Sequence, residues 1–178
     1  MALPVRARRM MQRVAVVGPG GAGKSTFAGA LGERLGCQVI HLDRYFWRPG
    51  WNAAPSEEWA DTQRELVAAE RWVVDGNYGG TFDVRFAGAD TVVVFTPPRA
   101  RCLVGAVSRT LRNYGRDARA DGCPERFSLE FYRWIYNYDR NSRPRLEAAI
   151  ARHPHLDVVE LGSRAAAQRF VDSGDERS

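Results

Sequence analysis

The chain is almost without lysine. Lys24 is the only one, and every other member of its 26 Lys plus Arg is arginine. A solvated surface cation in this sequence is therefore an arginine, and the lone lysine marks a place that needs a compact ammonium in place of a planar guanidinium. Cysteine is also scarce: Cys37, Cys102 and Cys123 are odd in number, far apart, and form no C-x-x-C or zinc spacing. That pattern excludes a disulfide framework and points to free thiols in a reducing cytosol. No apolar run approaches the ~18 residues needed to span a bilayer, so a membrane partner is not expected. The histidines His41, His153 and His155 show no metal or triad arrangement, and satisfied or surface roles are expected for them.

Net charge is low once one end is set aside. Residues 1–13 carry Arg6, Arg8, Arg9 and Arg13, no acid, and no apolar segment behind them. They are expected to be a disordered basic tail and not a secretory signal, with Met10 or Met11 an alternative start. Without those four arginines the formal charge falls from +5 to +1. A nearly neutral body makes nucleic acid an improbable direct ligand. The one basic concentration is residues 99–119, with Arg99, Arg101, Arg109, Arg112, Arg116 and Arg119 against Asp117. It suits a small polyanion better than a duplex.

What the chain does have is a phosphate-binding signature. Val14–Val17 is a short β-branched run, and Gly18-Pro19-Gly20-Gly21-Ala22-Gly23-Lys24-Ser25 follows it with every fixed position of G-x-x-x-x-G-K-[ST]. Thr26 continues into a helical pattern. Glycines let backbone N–H groups turn inward around phosphate, and the helix adds its free N–H groups and positive dipole end. Lys24 is placed to reach the β- and γ-phosphates and Ser25 to ligate Mg²⁺. Gly18, Gly20, Gly21, Ala22, Gly23, Lys24, Ser25 and Thr26 are thus the candidate nucleotide-binding residues.

Along the rest of the chain, strands are expected at 14–17, 37–42, 71–74, 91–95 and 156–161. Helices are expected at 24–35, 57–70 (capped by Ser56), 81–87, from Pro97–Pro98 to about 114, and from Ser128 to about 151, with a short one after Arg164. The aromatic-rich stretch 44–56 reads as irregular, either a satellite core or a wall of an acceptor pocket. Alternating strands and helices predict one α/β domain over 14–172, a parallel sheet with helices on both faces, and a frayed end at 173–178. Ligands in such folds sit at the carboxyl ends of strands. The loop 18–26, Asp43, Asp75, Arg99 and Gly162–Arg164 all fall there. Asp43 is placed to accept or orient the proton of an acceptor hydroxyl.

The Gly18–Thr26 loop, His41-Leu42-Asp43, Trp47-Arg48-Pro49-Gly50-Trp51, Asp75-Gly76-Asn77-Tyr78-Gly79-Gly80-Thr81, Gly122-Cys123-Pro124-Glu125 and Ser142-Arg143-Pro144 resemble the bacterial topology-modulation (FlaR-like) proteins. These are similar in turn to adenylate-kinase-type P-loop kinases. The resemblance runs from about Val14 to Phe170. It implies a P-loop NTPase three-layer α/β/α fold, a five-stranded parallel sheet of order 2-3-1-4-5, and an arginine-bearing lid at about 112–145. It also implies ATP as the nucleotide and a place for Asp75 beside Mg²⁺. The chain departs from the adenylate kinase Asp-Gly-(aromatic)-Pro-Arg pattern after Gly76, so the arginine that would hold an acceptor phosphate is absent at that spot. Arg85 is its expected substitute, with Asp43 and Asn77 beside it as acceptor-binding residues. Some of Arg109, Arg112, Arg116 and Arg119, with Arg143 as a second arm, are expected to contact phosphate in a closed lid.

Three functions are compatible with these residues. The first is an ATP- and Mg²⁺-dependent kinase acting on a small nucleotide- or nucleoside-like acceptor. The second is a regulatory ATPase that affects DNA topology or gene regulation through a partner. The third is a P-loop hydrolase working as a switch.

Overall fold

The computed structural model describes residues 11–117 and 119–173. Its centre is β1 (Arg13–Val17), whose residues alternate between two cores. Val14 and Val16 enter one, with Phe27, Leu31, Val93, Phe95 and Ile135. Ala15 and Val17 enter the other, with Ile40, Trp59, Trp72, Phe86 and Leu146. A strand covered on both faces has no polar side, and its apolar run follows from that.

The chain continues through α1 (Lys24–Leu35), β2 (Gln38–His41), a helical turn α2 (Asp43–Phe46), a two-stranded ribbon β3 (Trp47–Arg48) and β4 (Asn52–Ala53), then α3 (Ser56–Leu66) and β5 (Trp72–Asp75). After a 3₁₀ turn (Gly79–Thr81) come α4 (Phe82–Phe86), β6 (Thr91–Phe95), α5 (Arg99–Asn113), α6 (Leu129–Tyr136), α7 (Tyr138–Asn141), α8 (Arg143–Ala151), β7 (Asp157–Leu161) and α9 (Arg164–Ser173). The five long strands are all parallel and lie in the order β2-β5-β1-β6-β7. Counted within this sheet alone, that is the expected 2-3-1-4-5. Among the described residues no helix is long and apolar enough to cross a membrane.

Several local expectations change. Arg13 is a strand residue: the backbone N–H groups of Gln12 and Arg13 donate to Asp90 Oδ2 at 2.9 and 2.8 Å, and Arg13 Nε donates to the Glu70 carbonyl at 3.0 Å. Of the expected tail, Met11 packs against the core, and residues 1–10 lie outside the described residues, as do 174–178; Ser173 closes α9. Ser56 is not a cap but the first residue of α3, with Pro55 before it and the Pro55 carbonyl accepting from Trp59 N–H at 2.8 Å. That helix stops at Leu66, four residues short of expectation, because Trp72 Nε1 donates to the Val67 carbonyl at 3.1 Å and turns the chain into β5. The long helix after Ser128 is three helices. Ser128 caps the first through its Oγ, 3.2 Å from Phe131 N. Pro144 has no N–H to continue α7, so α8 starts afresh with the proline in its first turn. Stretch 44–56 is not irregular throughout, since α2 and the β3–β4 ribbon order it.

The turn after β1 is pressed against α5. A methyl group on Gly105 would lie 2.3 Å from the Gly21 carbonyl oxygen, a backbone atom that cannot swing away. Gly105→Ala is therefore expected to lower stability by roughly 1–3 kcal/mol, the usual cost of overpacking. The exposed neighbour Val104 provides the control, with Val104→Ala expected within about 0.5 kcal/mol of the parent. Urea unfolding of the two variants checks this.

Candidate functional site

The turn between β1 and α1 curves around a small hollow that the Lys24 side chain crosses to reach Pro19. Gly23, at φ 95°, occupies the left-handed region immediately before Lys24, a conformation that suits glycine and aims the first N–H groups of α1 at the hollow. Gly21 (φ 75°) has no room for a side chain, since a methyl there would lie 2.1 Å from the Cys102 carbonyl. Lys24 Nζ donates to the Pro19 carbonyl at 2.8 Å, so the ammonium is folded back across its own loop. Enclosure by that loop pushes its pKa below the ordinary 10.5, against the opposing pull of Asp75 and Asp43. Ala22 is buried in the wall, and Ser25 and Thr26 open onto solvent at the helix start.

Asp75, at the carboxyl end of β5, is 6% exposed. Its Oδ2 accepts from Ser25 Oγ at 2.5 Å and from His41 Nδ1 at 3.1 Å. Burial disfavours its ionised form, but the His41 hydrogen bond, the Lys24 charge and the Ser25 hydrogen bond outweigh that and hold the carboxyl below its usual range. Its Oδ1 is buried with no hydrogen-bond partner among the described residues. An unsatisfied buried carboxylate oxygen beside a serine hydroxyl is a hard-oxygen donor pair, and Mg²⁺ commonly takes one or two protein oxygens, the rest being water and phosphate. Ser25 and Asp75 therefore fit Mg²⁺.

One strand over, Asp43 opens α2. Tyr78 Oη donates to its Oδ1, and Arg119 Nη1 stands 3.6 Å from its Oδ2. Tyr78 has φ 40°, a costly backbone for a tyrosine. The side chain is fixed in return by Phe46 and Trp59, at ring-centroid distances of 4.6 and 5.0 Å. Burial and the Asp43 charge push the Tyr78 phenol far above its ordinary value, so it stays a donor. Of the aromatic stretch, Phe46 packs with Trp59 and Tyr78 against the main core on the Ala15–Val17 face of the sheet, not in a satellite core. Trp47 and Trp51 form the half-exposed rim, 5.5 Å apart.

The arginines divide. Arg119 is the one brought to the centre: its guanidinium lies 4.6 Å over the Phe131 ring, and Phe131 covers the loop so closely that a methyl on Gly20 would sit 2.5 Å from its Cζ. Arg109 pairs with the buried Glu125 (Nη2 to Oε1, 3.4 Å). Arg116 is exposed on the strap, residues 114–128, that joins α5 to α6. Arg112 faces outward, its Nε donating to the Ser108 carbonyl at 3.2 Å, and with Arg101, Gly105 and Arg164 it borders an open cleft of about 710 Å³ on the far side of the loop. Arg143 is spent on exposed pairs with Glu147 (2.9 Å) and Asp139 (4.0 Å) along its own helical face. In this conformation it does not reach the loop as a phosphate ligand.

Two expected acceptor residues have other work. Arg85 is fully buried beneath the turn after β5, donating to Gln63 Oε1 at 2.5 Å, to the Gly76 carbonyl at 3.2 Å and to the Asn77 carbonyl at 2.5 Å. Burial lowers its pKa to about 9. It does not substitute for the missing acceptor-phosphate arginine, because no part of it reaches the cleft. Asn77 clasps the start of the loop: Gly18 N–H donates to its Oδ1 at 3.0 Å and its Nδ2 donates back to the Gly18 carbonyl. This fixes the loop's entry angle; the amide is not free to take a substrate. Sequence reasoning passed over Tyr78, His41 and Glu125. His41 meets Asp75 through the register of the adjacent parallel strands β2 and β5, which the sequence does not print. The others depend on a turn and a strap whose paths sequence spacing does not give.

The fold is that of a P-loop NTPase, with this site at the carboxyl edge of its sheet. No protein-family model matches the chain. Threonine synthase-like 1 of Mus musculus is 37% identical over 59 residues, which is 33% of this chain and 8% of that protein. The Homo sapiens protein of the same description gives the same figures. The chain thus matches only a small part of the length of these curated relatives. Among solved structures, shikimate kinase from Acinetobacter baumannii, in complex with shikimate, aligns with 98% of this chain and 100% of its own at a TM-score of 0.59 and 17% identity. Shikimate kinase from Bacteroides thetaiotaomicron aligns at 0.53 and 17%, over 91% and 95% of the two chains. At that identity the likeness defines the fold.

The lowered Asp75 pKa carries a sign. A carboxylate held below its ordinary value of 3.8 stabilises the folded state above that pH, and the contribution is lost as pH falls through the still lower folded value. Removing the His41 hydrogen bond should move the folded pKa up and the acid-unfolding midpoint with it. We expect His41→Ala to unfold at higher pH than the parent, and Asp75→Asn to lack that part of the acid transition altogether, as read by circular dichroism from pH 6 to 2.

Proposed function

We propose that this chain is an ATP-dependent phosphotransferase that moves the γ-phosphoryl group to a hydroxyl of a small acceptor. The observation that carries this reading is Asp43. It is a second carboxylate at the carboxyl edge of the sheet, next to the strand that bears Asp75, with one oxygen held by Tyr78 and the other turned toward Arg119. Nucleotide binding alone does not call for such a group. Transfer to a hydroxyl does, because the acceptor proton must go somewhere. The likeness in fold to small-molecule kinases supports the same reading.

In this mechanism the loop amides and the first turn of α1 hold the phosphates, and Lys24 leaves the Pro19 carbonyl for the β- and γ-oxygens. Ser25 and Asp75 would hold Mg²⁺, which would neutralise charge on the phosphate oxygens. Asp43 takes the proton of the acceptor hydroxyl on the oxygen that Tyr78 leaves free. The acceptor oxygen bonds to the γ-phosphorus as the bond to the β–γ bridging oxygen breaks, and ADP departs. Arg119 balances charge developing on the transferred group. The acceptor class is a small hydroxyl compound of nucleoside or nucleotide type, bounded by Trp47, Trp51 and Tyr78.

Incubation of the protein with ATP-Mg²⁺ and a panel of nucleosides, nucleotides and small alcohols tests the reading. Phosphorylation of a panel member supports it. Acceptor-independent hydrolysis that depends on Lys24, with nothing phosphorylated, sinks it in favour of a regulatory ATPase or switch. Asp43→Asn should lower kcat by about 10²–10⁴ while nucleotide affinity, measured by calorimetry, is retained. Lys24→Arg should lose roughly 10²-fold or more, since the wider planar head does not fit where the ammonium lies. Full activity in that variant would refute the point-charge role of Lys24.

A further inference from the structure

Outside the groups used so far, the least explained charge in the molecule is Glu125. It sits on the strap between α5 and α6 and is only 4% exposed. Burying a carboxylate is expensive unless charges and hydrogen bonds surround it. Thr110 Oγ1 donates to its Oε1 at 2.9 Å, and Tyr132 Oη supports Thr110 at 3.1 Å. Arg109 Nη2 lies 3.4 Å from Oε1 and Arg119 Nε 3.5 Å from Oε2. The strap is folded back to bring it there: Gly115 N–H donates to the Glu125 carbonyl at 2.9 Å, and Glu125 N–H to the Arg116 carbonyl at 2.8 Å.

The geometry at Arg119 is unusual for an ion pair. It stands between two carboxylates, 3.6 Å from Asp43 and 3.5 Å from Glu125, outside the 2.7–3.2 Å of a well-made N–H···O bond. Glu125 Oε2 is buried and has no hydrogen-bond partner among the described residues. The guanidinium face is set instead by rings, Phe131 at 4.6 Å and Trp51 at 6.0 Å. Phe131 in turn lies on Gly20 of the phosphate loop. A guanidinium confined near a phosphate loop, held in a plane, and bonded tightly to neither neighbour has unused donor capacity.

We propose that Glu125 is a positioning residue. It holds Arg119 above the phosphate loop with its fork uncommitted, so that the γ-phosphate of a bound nucleoside triphosphate becomes the third anion the fork meets. Asp43 is then released from Arg119 as the triphosphate binds and becomes available to the acceptor. This rests on the phosphotransferase reading for the role of Asp43, but the Glu125–Arg119 relation itself concerns only the nucleotide.

The experiment measures binding of ADP and of an ATP analogue with a non-hydrolysable β–γ linkage, each with Mg²⁺, by calorimetry. The full chain is used, as the parent and as Glu125→Gln, Arg119→Met and the double variant. One charge-assisted contact to the γ-phosphate should favour the analogue over ADP by roughly ten- to a hundredfold in the parent. Glu125→Gln and Arg119→Met should each lose most of that preference with ADP affinity unchanged, and the double variant should lose no more than either alone. Thr110→Val, which removes the hydroxyl on Glu125 but no charge, should show a partial loss and serves if Glu125→Gln does not fold. The proposal is overturned if Glu125→Gln or Thr110→Val weakens ADP and the analogue equally, if it leaves the preference intact, or if its effect adds to that of Arg119→Met. Failure of the phosphotransferase reading would look different: no acceptor phosphorylated, with the γ-phosphate preference and its dependence on Glu125 still present.

Discussion

The site depends on one buried carboxylate. Asp75 is almost sealed from solvent, and a charge so placed is tolerated only because Ser25, His41 and Lys24 answer it from two separate elements. The serine and lysine come from the start of α1 and the histidine from β2, so satisfying Asp75 fixes where the phosphate loop sits relative to the sheet. The clasp between Asn77 and Gly18 repeats that constraint two residues later. The loop is thus held from the β5 side by polar contacts and from the α5 side by the close approach of Gly105 to Gly21.

On this base the second half of the site is built from less regular parts. The turn after β5 is kept open by Arg85, a cation turned inward to hold backbone carbonyls. Above it Tyr78, strained at the backbone but fixed by Phe46 and Trp59, reaches Asp43. The strap between α5 and α6 lies on the other side. Gly50 N–H donates to the Gly122 carbonyl at 2.8 Å, and Trp51 Nε1 to the Pro124 carbonyl at 3.0 Å, so the β3–β4 ribbon and the strap meet over the hollow. Cys123 Sγ adds a third contact, to the Arg48 carbonyl at 3.1 Å.

Where sequence reasoning went astray, a shared cause is visible. Arg85, Asn77 and Arg143 were assigned by residue type and position along the chain, and each could have served phosphate or acceptor on those grounds. Position cannot tell whether a long side chain turns inward or outward. Arg85 turns in and is buried; Arg143 finds Glu147 one turn along its own helix; Asn77 meets Gly18 from 59 residues away. Among six arginines over 99–119, the sequence could not single out Arg119. That choice depended on the fold of the strap and on Phe131, contributed by the next helix.

The amino-acid sequence by itself determined the phosphate loop, the five strands and the carboxylates at their ends, because these follow from local chemistry: glycine spacing, short apolar runs, and the rule that parallel strands deliver their following residues to one edge. The order of the strands came only with the family resemblance, and it held. Tertiary structure alone decided which charges meet. Asp75 with His41, Asp43 with Tyr78 and Arg119, and Glu125 between Arg109 and Arg119 are pairs brought together by the packing of separate elements. A buried charge selects its partners by desolvation, which acts on position in space and leaves no periodic trace along the chain.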